Sequence, residues 1–425
     1  MATLLDLPEL HVVRTLSPDG RLLFVTRIVR LFAYGFLSIV LAFYLTERGL
    51  NEHAIGQLFT WALVGDAIIS LWLTTTADRF GRRRTLIIGA GLIVLAGVIF
   101  ATTGNVLLLT LAAIVGTLSP SGGEVGPFLS IEQAALTHTT DDKHRTAVFA
   151  WYNLAGSLAT ATGALAGGAL AAWLQQTGST AFASYRTIVL GYALIGLVLG
   201  ALFTQLSSAV EVDSAKSTVA RRTSAVLNPM SGLHRSRRIV LTLSSLFMLD
   251  AFAGGLIVQS FLAYWFAVRF GVDPATLGSI FFGTNLLAAG SSLVAARLAA
   301  RFGLVNTMVW THIPSNVLLL LLPLMPTLPL AIAVLLARAS ISQMDVPTRQ
   351  AYVMSVVAPD ERSAAAGVTS VVRSAASAAA PIITGTLFAA AWLSVPFFLA
   401  GTLKIVYDLT LYRNFRTARP SSDHS

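Results

Sequence analysis

Cysteine is absent from this 425-residue chain, and charge is scarce: 29 Lys and Arg with 20 Asp and Glu make up 12% of it. Without thiols there is no disulfide, no thiolate-held metal and no cysteine nucleophile. A soluble domain carries roughly 25% charged residues. With about half that share and 55% hydrophobic residues, the chain lacks the polar surface needed to face water on every side. Long polar stretches are missing as well, apart from residues 206–238. What fills the sequence instead is apolar runs, and a mean hydropathy of +0.72 makes the bilayer the solvent. About 20 apolar residues cross the hydrocarbon once, so twelve crossings fit the length and leave room for loops and one connector.

A net charge of +9 raises the question of nucleic acid. The basic residues, however, fall in short clusters between apolar runs and form no single basic face with interleaved aromatics. No nucleic-acid partner is expected. Seven scattered His make no metal-spaced cluster, and neither a nucleophile elbow nor a phosphate-binding Gly-Lys loop is present. The chain is therefore not read as an enzyme, and no cofactor and no metal are expected. Lacking an ATP site, any transport would draw on an ion or substrate gradient.

Apolar segments recur at roughly 22–46, 53–76, 85–103, 105–130, 146–173, 185–205, 239–267, 275–296, 304–323, 328–355, 364–391 and 395–412. They are continuous, without the period-two alternation of a lipid-facing barrel, and so predict helices. Alternate loops collect the positive charge: Arg79, Arg82, Arg83 and Arg84; Lys143 and Arg145; Lys216, Arg221, Arg222, Arg235, Arg237 and Arg238; Arg297, Arg301 and Arg362; then Arg413, Arg416 and Arg419. The opposite loops hold little beyond Arg48 and Arg269. By the positive-inside rule both termini and the 206–238 connector are cytoplasmic.

That connector divides the chain into an N-terminal bundle, 1–205, and a C-terminal bundle, 239–425, of six spans each. The halves share a register. Gly49, Gly56 and Phe59 match Gly271, Gly278 and Phe281, and Arg79-Phe80-Gly81 matches Arg301-Phe302-Gly303, all at an offset of 222. Arg145, Ala164 and Gly168 fall opposite Arg362, Pro381 and Gly385 at 217. A register held over most of each half predicts a parallel duplication.

Between the second and third spans, Thr74-Thr75-Thr76-Ala77-Asp78-Arg79-Phe80-Gly81-Arg82-Arg83-Arg84 resembles the G-x-x-x-D-R-x-G-x-R-R signature of the major facilitator superfamily. Thr74 replaces the opening glycine; Asp78, Arg79, Gly81, Arg83 and Arg84 stand in place. Gly81 permits a tight turn, and the arginines hold it at the headgroups. The resemblance implies an all-α membrane fold of twelve helices in two pseudo-symmetric bundles. It further implies a central cavity lined by helices 1, 4, 7 and 10, and a latch role for this loop. In the fifth span, Ala159, Gly163, Ala164, Gly167 and Gly168 resemble, without its proline, the glycine-rich stretch of the drug:proton antiporter branch. Small residues at such spacing also serve plain helix packing.

Charge at bilayer depth is costly, so each intramembrane ionisable residue is a candidate site. Arg338, Asp345 and Arg349 are spaced 7 and 4 apart and share one stripe of the tenth span. Asp345 and Arg349 either neutralise each other or leave Asp345 to titrate. Arg30 and Asp250 occupy equivalent repeat positions and are read together as a gate or a static pair. Glu124 lies in Ser119-Pro120-Ser121-Gly122-Gly123-Glu124-Val125-Gly126-Pro127, a breaker-rich stretch of the kind that lines cavities. Asp66 is a further proton candidate, while Lys404 and Asp408, four apart, are expected to neutralise each other. The resulting expectation is a monomeric secondary transporter working by alternating access in the plasma membrane, the inner membrane of a bacterium. Its partners would be protons, a small-molecule substrate and the lipid bilayer. The leading form is proton-coupled efflux of a small organic or drug-like compound. The alternatives are proton-linked uptake or exchange of a small polar or anionic metabolite, favoured by Arg30, Arg338, Arg349 and Arg373, and a non-transporting membrane sensor.

Overall fold

The computed structural model describes residues 16–139, 145–211 and 233–415. Lys143, Lys216, Arg221, Arg222, Arg416 and Arg419 of the expected basic loops lie outside them. In chain order the helices are α1 (Pro18–Ser38), α2 (Leu41–Glu47), α3 (Glu52–Phe80), α4 (Arg82–Thr102), α5 (Val106–Val115), α6 (Phe128–Thr139), α7 (Arg145–Gln176), α8 (Ala181–Phe203), α9 (Arg237–Leu256), α10 (Gln259–Phe270), α11 (Pro274–Phe302), α12 (Leu304–Leu321), α13 (Leu328–Ser342), α14 (Asp345–Val356), α15 (Arg362–Ala379), α16 (Pro381–Ala389) and α17 (Val395–Phe415).

Local chemistry sets several boundaries. Ser17 caps α1, its Oγ accepting the Gly20 N–H at 3.0 Å, with Pro18 in the first turn where its missing N–H costs nothing. Asn105 and Thr180 cap α5 and α8 in the same way. Gly81 and Gly303, the closing residues of the two repeated Arg-Phe-Gly turns, have φ of 98° and 84°. An L side chain would be strained there, which explains why both repeats keep glycine between helices.

Among the described residues, ten helices are long and apolar enough to cross a membrane, and the bent pair α1–α2, with an angle of 45°, makes an eleventh crossing. The shorter apolar helix α5 and helix α6 lie on either side of residues 116–127. Within the apolar segment 105–130 the helix is interrupted across the breaker-rich stretch 119–127. Breaks also recur with the repeat: Ile39-Val40 interrupts the first span and Ile257-Val258 the seventh.

The chain forms two compact units. The first comprises 1–48, 65–217 and 273–282; the second comprises 49–64, 218–272 and 283–425. In the first unit α1 and α7 meet backbone to backbone. A Cβ on Gly35 would lie 2.1 Å from the Thr160 carbonyl oxygen, and one on Gly163 would lie 2.1 Å from that of Phe32. Gly167 faces Phe36 similarly, and Gly168 faces Pro274 and Gly278. The glycine-rich stretch of the fifth span therefore serves close packing. In the second unit Leu243, Phe247, Met308, Tyr352, Val356, Tyr407 and Leu411 join α9, α12, α14 and α17 in one apolar core.

Candidate functional site

Each unit holds a buried ionic cluster, and the two have opposite polarity at their centres. In the first unit, Arg30 is fully buried and grips Glu132 with two parallel bonds, Nη1 to Oε1 at 2.7 Å and Nη2 to Oε2 at 2.8 Å. Its Nε donates to Glu124 at 3.0 Å. Arg27 completes the group, donating to Glu124 at 2.8 Å, to the Tyr152 carbonyl at 2.9 Å and to Asn153 at 3.2 Å. Thr26 and Tyr152 hydroxyls both donate to Glu132. Arg27 lies over the Tyr152 ring and Arg30 over that of Phe128. Two cations meet two anions with their donors used, the condition under which buried charge is tolerated.

Beside this cluster runs the irregular segment 116–127, with Thr117 at φ 48° and Gly122 and Gly126 at 69° and 84°. Backbone groups freed from a helix at bilayer depth need other partners, and side chains from four spans supply them. The Tyr34 hydroxyl donates to the Val125 carbonyl and that of Tyr192 to the Thr117 carbonyl, both at 3.2 Å. Thr160 reaches the Gly122 carbonyl at 3.5 Å. Asp66 Oδ1 accepts the Gly126 N–H at 2.5 Å and the Ser70 hydroxyl at 3.2 Å. Among the described residues Asp66 is the one bilayer-depth carboxylate with no basic side chain beside it.

The second unit is built around an anion. Asp250 accepts from Lys404 at 2.6 Å and from Arg349 and Arg373, each at 3.0 Å. Arg349 also bonds Asp345 at 2.8 Å across one helical turn. His312 Nδ1 lies 2.9 Å from Asp408, with its Nε2 4.0 Å from Asp250, and Asn316 donates to Asp408 at 3.1 Å. Arg30 pairs with Glu124 and Glu132 of its own unit, and Asp250 with Lys404, Arg349 and Arg373 of its own. Lys404 reaches Asp250, leaving Asp408 to His312 and Asn316. Arg338 makes no ion pair among the described residues, Asp345 being the charge that acts on it, and its buried Nε is without a hydrogen-bond partner.

The Major Facilitator Superfamily profile matches residues 23–268 and 245–424. The chain belongs to the major facilitator superfamily. It is 30% identical over 428 residues to the uncharacterized membrane protein YJR124C of Saccharomyces cerevisiae, covering 95% of this chain and 96% of that one. Solved superfamily structures share its fold. The nucleoside transporter NupG superposes with a TM-score of 0.72 at 13% identity, covering 94% of this chain and all of that one (100%). The xylose transporter XylE from E. coli gives 0.67 at 14%, with 98% and 100% covered. The human organic anion transporter MFSD10 gives 0.63 at 16%, with 96% and 100% covered. The chain is thus a membrane transporter, not an enzyme.

The superfamily signature loop is anchored by a residue that sequence reading missed. Glu211 accepts the backbone N–H of Arg82 at 2.7 Å and of Arg83 at 3.1 Å, capping α4, while the Arg83 side chain donates to the Thr204 carbonyl. Arg84 is exposed; the side chains of Asp78 and Arg79 lie outside the described residues. Glu361 plays the corresponding part before α9, accepting from the N–H groups of His234, Arg235 and Ser236 at 2.7, 2.7 and 2.8 Å. Burial raises its pKa, but the bonds from Arg235, His234 and Ser236 outweigh that and hold it at about 2. Glu132 and His312 were missed too. Faint signals existed: Glu132 falls opposite Arg349 at the repeat offset of 217, and His312 sits two residues before a proline within an apolar run.

Proposed function

We propose that this transporter couples the movement of a small polar organic molecule to protons, by alternating access between the bundles 1–205 and 239–425 joined by 206–238. The observation that carries proton coupling is Asp66. Protonating Glu124, Glu132, Asp250 or Asp345 leaves a buried arginine short of its partner, a change that costs several kcal/mol. Protonating Asp66 breaks no ion pair. It instead weakens a charge-assisted bond to Gly126, so the charge on Asp66 is tied to the irregular segment of the fourth span. A ligand shifts a conformational equilibrium only through such differential contacts.

In this reading Arg30 with Glu124, and Asp250 with Asp345 and Arg349, are bistable pairs that exchange partners as the bundles rock. Asp78, Arg79, Gly81, Arg83 and Arg84 form the latch. The arginine-rich loops support cytoplasmic termini in a plasma membrane, and a single chain suffices as the working unit. Superfamily structures named for nucleoside, xylose and organic anion transport support a small organic cargo. Export of a hydrophobic drug draws less support, since the glycines that suggested it are filled by helix backbone.

The test is flux in proteoliposomes under an imposed pH gradient, in both directions, with uridine, xylose and benzoate as labelled probes. Wild type should move one of them against its gradient, and Asp66→Asn should retain only downhill exchange. Gradient-driven flux unchanged in Asp66→Asn would overturn the assignment.

A further inference from the structure

Arg338 lies about 15 Å of helix beyond Leu328, where α13 begins, which is half the ~30 Å hydrocarbon thickness. A cation at that depth needs an anion or a wet cavity. Among the described residues it makes no ion pair and no hydrogen bond, Asp345 being the charge that acts on it, and its Nε is buried with its proton unused. Asp345, seven residues on and across the break at Gln343-Met344, is held by Arg349 at 2.8 Å. The buried ionic cluster of the second unit balances without Arg338: Asp250, Asp345 and Asp408 stand against Arg349, Arg373 and Lys404, with His312 bridging as the titratable member. One positive charge is left over near mid-membrane, with a buried donor unpaired.

We propose that Arg338 receives the negative group of a monovalent organic anion, and that the transported molecule belongs to this class. The proposal deepens the transport reading and rests on it. The Nε and Nη edge of a guanidinium offers two parallel N–H donors that match the two oxygens of a planar carboxylate. One carboxylate neutralises the surplus charge, whereas a dianion would leave a new uncompensated charge at the midplane. An uncharged sugar or nucleoside would leave the arginine as it is. An anionic lipid headgroup does not reach this depth.

The experiment is binding to the purified full chain in detergent, by isothermal titration. Benzoate and lactate serve as monocarboxylates, succinate as a dianion, chloride as an inorganic anion, and xylose and uridine as uncharged probes. Saturable binding of a monocarboxylate is expected, with affinity reduced about 30-fold or more in Arg338→Gln, the scale of losing one partner of a buried charge pair. Arg338→Lys, which keeps the charge without the planar fork, should fall in between and serves as the well-folded control. Equal affinity in wild type and Arg338→Gln, binding of chloride or uncharged probes only, or no monocarboxylate binding at all would overturn the proposal. The titration uses no gradient. Loss of monocarboxylate binding alongside intact proton-driven flux would therefore sink this inference alone, and intact binding without proton-driven flux would sink the coupling alone.

Discussion

Substituting Glu132→Gln keeps the side-chain volume and removes one charge from a cluster that is balanced in the native chain. Arg30 is 0% exposed and loses both short bonds to a carboxylate at 2.7 and 2.8 Å. Taking away one partner of a buried pair costs about 3–5 kcal/mol. Glu124 still faces Arg30 at 3.0 Å, but its side chain is 18% exposed and is shared with Arg27, so it compensates only part. The Thr26 and Tyr152 hydroxyls that donate to Glu132 would compete for one amide oxygen, adding about 1 kcal/mol for the bond lost. A net destabilisation of about 3–4 kcal/mol is expected. Removing both charges, in Arg30→Met with Glu132→Leu, should recover at least half of it, because well-packed apolar pairs replace buried ion pairs at little cost. The assay is an unfolding titration in bicelles on wild type, Arg30→Met, Glu132→Leu and the double variant, read as a double-mutant cycle, with Glu132→Gln alongside. A Glu132→Gln protein within about 1 kcal/mol of wild type would refute the reasoning, since it would mean that water already screens the pair.

Three further outcomes follow from other parts of the structure. Gly163→Ala places a Cβ 2.1 Å from the Phe32 carbonyl oxygen, where only backbone can move, so α1 and α7 must part; a loss of about 1–3 kcal/mol or more should appear in the same titration. Glu361, whose pKa is depressed to about 2, stabilises the α9 cap fully above the unfolded Glu value of about 4.3 and loses that contribution as pH falls toward about 2. Stability between those limits should fall with acid in wild type and lose that part of its slope in Glu361→Gln, measured by unfolding at stepped pH. Lys404→Met should be tolerated better than Arg349→Met: Asp250 keeps two arginines in the first case, whereas in the second both Asp250 and Asp345 lose a partner. The relative yields of monodisperse protein after purification test this ordering.

What the sequence reveals depends on how far apart partners lie along the chain. Helical periodicity and repeat spacing are local, so the spans, the glycine turns at 81 and 303 and the Asp345–Arg349 bond one turn apart can be read directly. Arg30 and Glu132 are 102 positions apart, and no spacing rule joins them. Equivalent repeat positions suggested grouping Arg30 with Asp250, but repeat symmetry carries no information on the partners that each has within its own unit. The Lys404–Asp408 spacing misleads for another reason: a lysine stem is long enough to leave its own helix, and Asp250 offers it a buried carboxylate at 2.6 Å. Likewise the breakers of 116–127 mark an irregular segment, while the tyrosines, threonine and aspartate that satisfy it become visible only in three dimensions.

The central claim is that Asp66 carries the coupled proton. Its most direct test is a pH-electrode record from a weakly buffered suspension of proteoliposomes as labelled substrate is added. Wild type should show alkalinisation or acidification in fixed proportion to substrate moved, with Asp66→Asn moving substrate down its gradient and no protons with it. Proton movement in Asp66→Asn that matches wild type would contradict the account.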